Sequence, residues 1–462
     1  MVNIVPISIV PYKYLKEDLK FNAEYYKSEY QKIEKILEKN KYYTQLFNVA
    51  KKSKERFNPL NNPQKEFYYI EIDDVDINNG RYTYEKIKNY QAPSRARKLL
   101  DYEDVFISTV RPNRNAVSIF LKKENNFVCS TGFSVIKPQN INSYFLFIFL
   151  KTKYSIGQLV RRTSAAMYPA VSEDDIMDLK LINPPQHFQE LIEKKVKSVY
   201  EKQQLANKKY EEAKEILETE IKFDKAKLQT ELSTIIKHSD FVSAMRIDAQ
   251  FFSSNKLKSL FLASFDSKSL NVLCEKIETG LTPAKNSYCR KGYPVLKMGC
   301  LTNFGIDWSK IEFANEAFFK RAKKFIAEEE EIFLTSSAHS LEHIAKKIDI
   351  VLDVPEEFKN KLVFVGEIMR LHVKKSLINP YYLLLFLKTE LGYRLLQNCI
   401  RGHTAHIYPK DVEKISIPKI SEEKQEKIED LIKDSHGLMG ESTKLIKESV
   451  NEVEKILLEQ SI

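Results

Sequence analysis

From Ile192 the apolar and small residues step along the chain in fours and threes: Ile192, Val196, Val199, Gln203, Ala206, Tyr210, Ala213 and Leu217, with charges between. A strict 3.5-residue period is the seam of a helix that packs along another helix. The same stepping returns from Ile428 through Ile432, Ser435, Met439, Ser442, Ile446, Ser449, Val453 and Ile456. Ser435, Ser442 and Ser449 fall seven apart, as do Ala206 and Ala213. Small residues on one stripe let two helix backbones approach closely. The pattern predicts two helices of roughly 35 residues, about 50 Å long, paired with each other. Two separate amphipathic helices, each lying on its own domain, is the alternative, but a strict 3.5 period suits a helix partner better.

Ahead of each helix the chain is written twice. Lys20-Phe-Asn-Ala-Glu-Tyr-Tyr26 returns as Arg246-Ile-Asp-Ala-Gln-Phe-Phe252, and Ile107-Ser-Thr109 as Leu334-Thr335 in a similar strand-like setting, both at an offset of 226. Phe149-Leu-Lys-Thr152 returns letter for letter as Phe386-Leu-Lys-Thr389, and Tyr168-Pro169 as Tyr408-Pro409. Asp175-Ile176 through Asn183-Pro184 is matched by Asp411-Val412 through Ile417-Pro418. Five matches in one order, with offsets drifting as loop insertions would make them, define a long-period repeat.

The expected fold is therefore α/β: two similar globular units, 1–185 and 233–420, separated by two long antiparallel coiled-coil helices, 186–232 and 421–462. Because the repeat runs head to tail, antiparallel pairing would relate the halves by a pseudo-two-fold axis and set the globular units at opposite ends of a spacer.

Length and composition fit this layout. The 462 residues, 43% hydrophobic and 11% aromatic, suffice for two or three packed domains. The longest apolar runs, Tyr144–Leu150 and Tyr381–Leu387, are far shorter than the roughly 18 residues of a bilayer span. The opening Met-Val-Asn-Ile-Val-Pro has no basic n-region or cleavage site, so no secretory signal is expected. Five cysteines at irregular spacing suit reduced thiols in a cytosol better than a disulfide or zinc framework.

Charge sharpens the picture. The overall +10 divides into +8 for residues 1–185, 0 for 186–232, +7 for 233–420 and −5 for 421–462. Two basic units joined by a neutral-to-acidic spacer suit a bivalent reader of double-stranded DNA. The basic clusters of the first unit include Lys51 and Lys52, then Arg95, Arg97 and Lys98, then Arg111, Asn113 and Arg114, then Arg161 and Arg162 with Ser164. Those of the second are Lys285 with Arg290 and Lys291, Lys320-Arg321-Ala-Lys323-Lys324, and Arg401 with His403 and Thr404; Ser336 sits in a polar stretch beside them. A guanidinium fork at Arg111 or Arg114 suits guanine, and the Asn113 amide suits adenine. The plain alternative for any one cluster is an ordinary solvated loop.

Catalytic signatures are missing. Asn183-Pro184-Pro185-Gln186 lacks the aromatic of an adenine methyltransferase tetrapeptide, has no glycine loop upstream, and reads as the approach to a helix. His339-Ser-Leu-Glu342-His343 matches H-x-x-E-H, but Thr335-Ser-Ser-Ala before it looks like a loop tip and no third ligand is evident. No metal is expected, and no G-x-S-x-G, Walker A or G-x-G-x-x-G occurs.

The chain resembles the specificity subunits of type I restriction–modification systems over nearly its whole length. The resemblance rests on Asn22–Tyr26 and Asp248–Phe252, on Phe106–Pro112, on Ser130-Thr-Gly-Phe-Ser-Val135, and on the Tyr168–Ile176 and Asn183–Pro185 approach to a long helix. It implies two target recognition domains, each reading half of a split DNA sequence, and helices that dock two modification subunits, with Ile192, Val199, Tyr210, Leu217, Ile432, Met439, Ile446 and Val453 as partner-binding positions. It further implies a chain that is not an enzyme and binds no cofactor, S-adenosylmethionine on the modification partners, ATP and Mg on restriction subunits, no membrane, and a cytoplasmic location. A specificity subunit of a combined restriction–methylation enzyme and a coiled-coil adaptor without DNA readout are the alternatives. The second half departs from the pattern at Val363–Met369 and at Thr335–His339.

Overall fold

The two apolar runs become helices buried on every side. The computed structural model describes residues 23–163, 168–222, 235–239, 242, 252, 265–401 and 405–459. All eight residues of the helix Ser143–Leu150 are buried, and Pro380–Lys388 is buried from Pro380 to Leu387. A helix apolar all round belongs inside a core. Asn142 and Asn379 start these helices, each side chain accepting from the two backbone N–H groups that follow the first helical residue. Thr152 and Thr389 then cap the amphipathic helices Lys153–Arg161 and Glu390–Gln397. Among the described residues, no helix is long and apolar enough to cross a membrane.

The chain forms two compact units, one of Met1–Gln203 with Gly440–Ile462 and the other of Gln204–Met439. In the first, the strands Ala50–Lys52, Phe133–Pro138, Val105–Ser108 and Val117–Ile119 form an antiparallel sheet in that order. A second sheet orders Glu85–Lys88, Glu66–Ile70, Phe127–Ser130 and Ala96–Leu99, with the middle two parallel. Tyr43–Gln45 pairs antiparallel with Lys180–Ile182, the strand that leads to the first long helix.

The second unit repeats the first sheet with Cys274–Thr279, Ile368–Val373, Ile332–Thr335 and Ile348–Ile350. It repeats the short pair with Ser267–Ser269 and Ser416–Pro418. Its other four-stranded sheet, Tyr288–Cys289, Glu312–Ala314, Tyr293–Leu296 and Val363–Phe364, keeps one parallel pair but differs in strand order along the chain. Of the repeated opening motif, Tyr25, Tyr26 and Phe252 are buried; residues 20–22 and 246–251 lie outside the described residues.

The long helices are Gln186–Glu220 and Glu422–Glu459. Within the first unit, Ile192, Val196, Val199 and Gln203 are buried, and so are Ser442, Ile446, Ser449 and Val453. Lys195 pairs with Glu452 and Lys202 with Glu441, so rising numbers on one helix meet falling numbers on the other. Within the second unit, Ala206, Ala213, Leu217, Ile428, Ile432, Ser435 and Met439 are buried, and Lys209 pairs with Asp434 and Lys424 with Glu220. Ser435 Oγ donates to the Ala206 carbonyl at 2.8 Å, a contact that only small residues permit. The predicted seam departs at its last step: Ile456 is half-buried and Leu457 takes the buried place.

Each unit fastens its buried helix to a long helix by the same clasp. The Asn142 backbone N–H donates to Gln189 Oε1 at 2.8 Å and its amide to Glu193 Oε2 at 2.6 Å. The Asn379 N–H donates to Gln425 Oε1 at 2.9 Å and its amide to Glu429. Gln189 and Gln425 in turn donate to the Pro184 and Ile420 carbonyls.

Candidate nucleic-acid interface

In the first unit the loop after Val105–Ser108 presents the clearest cationic surface. Arg111 and Asn115 both adopt left-handed backbone, φ 50° and 55°, on either side of the 3-10 turn Pro112–Arg114. Such a conformation is unfavourable for arginine and persists only where neighbours enforce it. Here the Arg111 N–H donates to the Pro169 carbonyl at 2.7 Å, and its guanidinium lies 5.5 Å from the centre of the exposed Tyr168 ring. Asn113 and Arg114 point outward and are exposed.

The other basic candidates of this unit divide. Lys51 and Arg95 are exposed, Arg97 is half-buried with Nη1 donating to the Ala96 carbonyl, and Lys52 pairs with Asp174 at 2.6 Å. Lys98 is buried and bound to Glu173 at 2.7 Å and to the Phe133 carbonyl, so it is a core cation and not a surface one. Arg161 is buried as well, bound to Glu34 at 2.6 Å and to the Tyr25 carbonyl at 2.7 Å, with its guanidinium over the Tyr25 ring. Burial would raise the Glu34 carboxyl, but Lys180 and Arg161 hold it below the usual range. Arg162 donates to the Asp175 carbonyl at 2.6 Å. Arg161 and Arg162 thus hold the repeated Tyr-Tyr segment and the Glu173–Met177 helix in place. Ser164 lies outside the described residues.

In the second unit Lys285, Arg290 and Lys291 are exposed around the short strand Tyr288–Cys289. Arg401 is held by a two-pronged ion pair to Asp411, at 2.7 and 2.6 Å, which fixes the chain beside Tyr408. Ser336 is buried, its carbonyl accepting from Ile407 N–H at 2.9 Å, so it closes a backbone bridge and presents no hydroxyl to solvent. His403 and Thr404 lie outside the described residues. His339 follows the strand Ser337–Ala338 and His343 ends a three-residue turn, so the two do not share a helix face. Asn183-Pro-Pro closes the start of the first long helix: Gln189 Nε2 donates to Asn183 Oδ1 at 2.9 Å.

The helix positions expected to bind partners face inward. Ile192, Val199, Leu217, Ile432, Met439, Ile446 and Val453 are buried in their own units, and Tyr210 is partly buried. A 3.5-residue seam marks burial; it does not say whether a second chain or the same chain supplies the covering atoms. Exposed apolar residues on these helices are instead Leu191, Leu205 and Leu458. The repeated Tyr168 and Tyr408, outside the basic clusters, are exposed as well.

The family described as "Type I restriction modification DNA specificity domain" matches residues 264–454. Among solved structures, the chain is similar to the HsdS subunit from Thermoanaerobacter tengcongensis, at 18% identity and a TM-score of 0.34, covering 90% of this chain and 96% of that one. It is similar to the type I restriction-modification S subunit from M. genitalium at 11% identity and a TM-score of 0.34, covering 90% and 95%. A chain from a type I R-M system studied for its complex assembly and conformational transition is 18% identical, with a TM-score of 0.33 and coverage of 91% and 97%. No curated protein matches. Residues 264–454 thus resemble a type I restriction modification DNA specificity domain, and they are preceded in the same chain by a unit built on much of the same plan.

Proposed function

We propose that the chain is the recognition subunit of a type I restriction–modification complex, with each unit reading one half of a split duplex target. The observation that supports this most is the duplication itself: the order of one four-stranded sheet, the capped buried helix and the clasp recur in both units, and the matched specificity domain covers one copy. The basic surplus on both globular segments suits two phosphate-facing surfaces. On this reading the two long helices fix the length of the unread spacer and dock two modification subunits through their outward faces. Those partners supply S-adenosylmethionine and methylate adenine, restriction subunits with ATP and Mg complete the complex, and the assembly works in the cytoplasm. This chain contributes recognition and spacing, not chemistry.

Methylation-sensitive sequencing of a host carrying this chain with its modification subunit tests the proposal. A two-part methylated motif with a fixed spacer is expected. One heptad inserted into both long helices lengthens the spacer, whereas insertion into one alone disrupts the pairing. A continuous motif, or an unchanged spacer after matched insertion, would sink the reading.

A further inference from the structure

The internal repeat supplies its own comparison, because a residue kept in both copies is kept for a reason. Most matched aromatic positions are kept for packing: Tyr144 and Tyr381, Phe149 and Phe386 are all buried. Tyr168 and Tyr408 break that rule. They hold equivalent places before a proline, yet are 65% and 51% exposed. Burial cannot account for a ring that the fold leaves in water in both copies, and a backbone role at that site does not need a tyrosine.

Their neighbourhoods point to the ligand. Arg111, held in left-handed backbone by its bond to the Pro169 carbonyl, lays its guanidinium against the Tyr168 ring, with the exposed Asn113 and Arg114 on the same turn. The His406 ring lies over Tyr408 at 6.3 Å and 28°, and the Ile407 N–H to Ser336 carbonyl bond pins the segment between them. Three acids close by in the sequence are already engaged: Asp174 by Lys52, Glu173 by Lys98 and Asp411 by Arg401. What is left outward is a phenol hydroxyl beside nitrogen-bearing planar groups. Tyrosine hydroxyls and guanidinium groups are phosphate donors that fix a protein's register on a duplex without reading sequence.

We infer that Tyr168 and Tyr408 are paired backbone-contact residues for duplex DNA, one per unit, each donating its hydroxyl to a phosphate oxygen while its ring orients the neighbouring Arg111 or His406. This rests on the DNA-reading proposal above. The experiment measures affinity of the full chain for mixed-sequence duplex DNA as a function of salt, with wild type, Tyr168→Phe, Tyr408→Phe and Arg111→Gln. Each phenylalanine variant keeps the ring and loses the donor. Each is expected to bind about tenfold more weakly, equally across sequences, with melting temperature and salt slope unchanged. Arg111→Gln is expected to flatten the salt slope by about one. Wild-type affinity in both phenylalanine variants overturns the inference, as does a loss confined to particular sequences. So does intact duplex binding with loss of the modification subunit on co-purification. Wild type without salt-dependent duplex binding overturns the underlying DNA reading instead.

Discussion

Under the antiparallel sheet of each unit lies the same triangle of backbone positions, filled with different chemistry. In the second unit Asp349, paired in register with Phe333, is fully buried; its carboxylate lies 3.0 Å from Lys388 Nζ and 2.8 Å from His436 Nε2. Lys388 also donates to the Asn303 carbonyl, and His436 Nδ1 faces the Ile432 carbonyl. In the first unit the matching positions hold Ser118, Lys151 and Tyr200. Ser118 donates to the Gly80 carbonyl at 2.6 Å, Lys151 to the Ile77 carbonyl at 2.8 Å, and Tyr200 to the Ile119 carbonyl at 3.4 Å. One unit ties its core to the long helix through a buried carboxylate, the other through donors on backbone carbonyls. The backbone plan demands that buried donors find acceptors and leaves open which acceptors they are.

The largest test of that contrast is Asp349→Ala. It strands two buried basic groups and should destabilise the second unit by about 3–5 kcal/mol, whereas Ser118→Ala should cost only about 1 kcal/mol. Urea unfolding of the two variants decides; equal losses would erase the distinction. Acid sharpens it from the other side. Burial would raise the Asp349 carboxyl, but Lys388 and His436 hold it well below the usual carboxylate range. Its stabilisation is therefore present above the unfolded value of about 4 and lost as pH falls below it, a decline that Asp349→Ala should abolish.

Alkali probes the first unit. Burial pushes the Lys151 ammonium down to about 8, against the opposing charge of Asp76. Between that value and the ordinary 10.5 the unfolded chain binds more protons, so this lysine makes stability rise with pH, by about 3 kcal/mol in all. Lys151→Met should remove the rise, read as the difference between wild-type and variant melts; parallel curves would refute it. Smaller and symmetric effects belong to the clasps. Asn142→Ala and Asn379→Ala should each cost about 1–3 kcal/mol, and unequal losses would show that the two clasps are not equivalent. The smallest concerns the hairpin glycines. Gly80 and Gly305 share left-handed backbone, φ 73° and 86°, so alanine costs about 1 kcal/mol at Gly305. It should cost more at Gly80, where a Cβ would stand 2.5 Å from the Phe147 ring. Thermal melts of the two variants rank them.

What the sequence made legible followed from periodicity. The 3.5-residue stepping located both long helices, and the repeated Phe-Leu-Lys-Thr marked equivalent places in the two units. The fate of single charges was not legible, because it depends on partners far along the chain. Lys98 and Arg161 sit in basic clusters that look solvated, but Glu173, 75 residues from Lys98, and the Tyr25 carbonyl, 136 residues from Arg161, draw them inside. Arg111 and Arg114 resemble them in sequence, but Arg114 is exposed and Arg111 lies against the exposed Tyr168 ring. The clasps had a readable trace: an Asn before each apolar run, and Gln and Glu four apart early in each long helix, at 189 and 193 and at 425 and 429.

The division of the long helices between the units also sets an order of events during synthesis. Residues 204–439 are contiguous, so the second unit can close as soon as Met439 has emerged. The first unit cannot, because Ile446, Val453 and Leu457 belong to its core. At roughly 5–20 residues per second, its N-terminal part waits on the order of ten seconds or more for them. The half made first is finished last, and until then it exposes the buried faces of Ile192, Val196 and Val199 to whatever holds nascent chains.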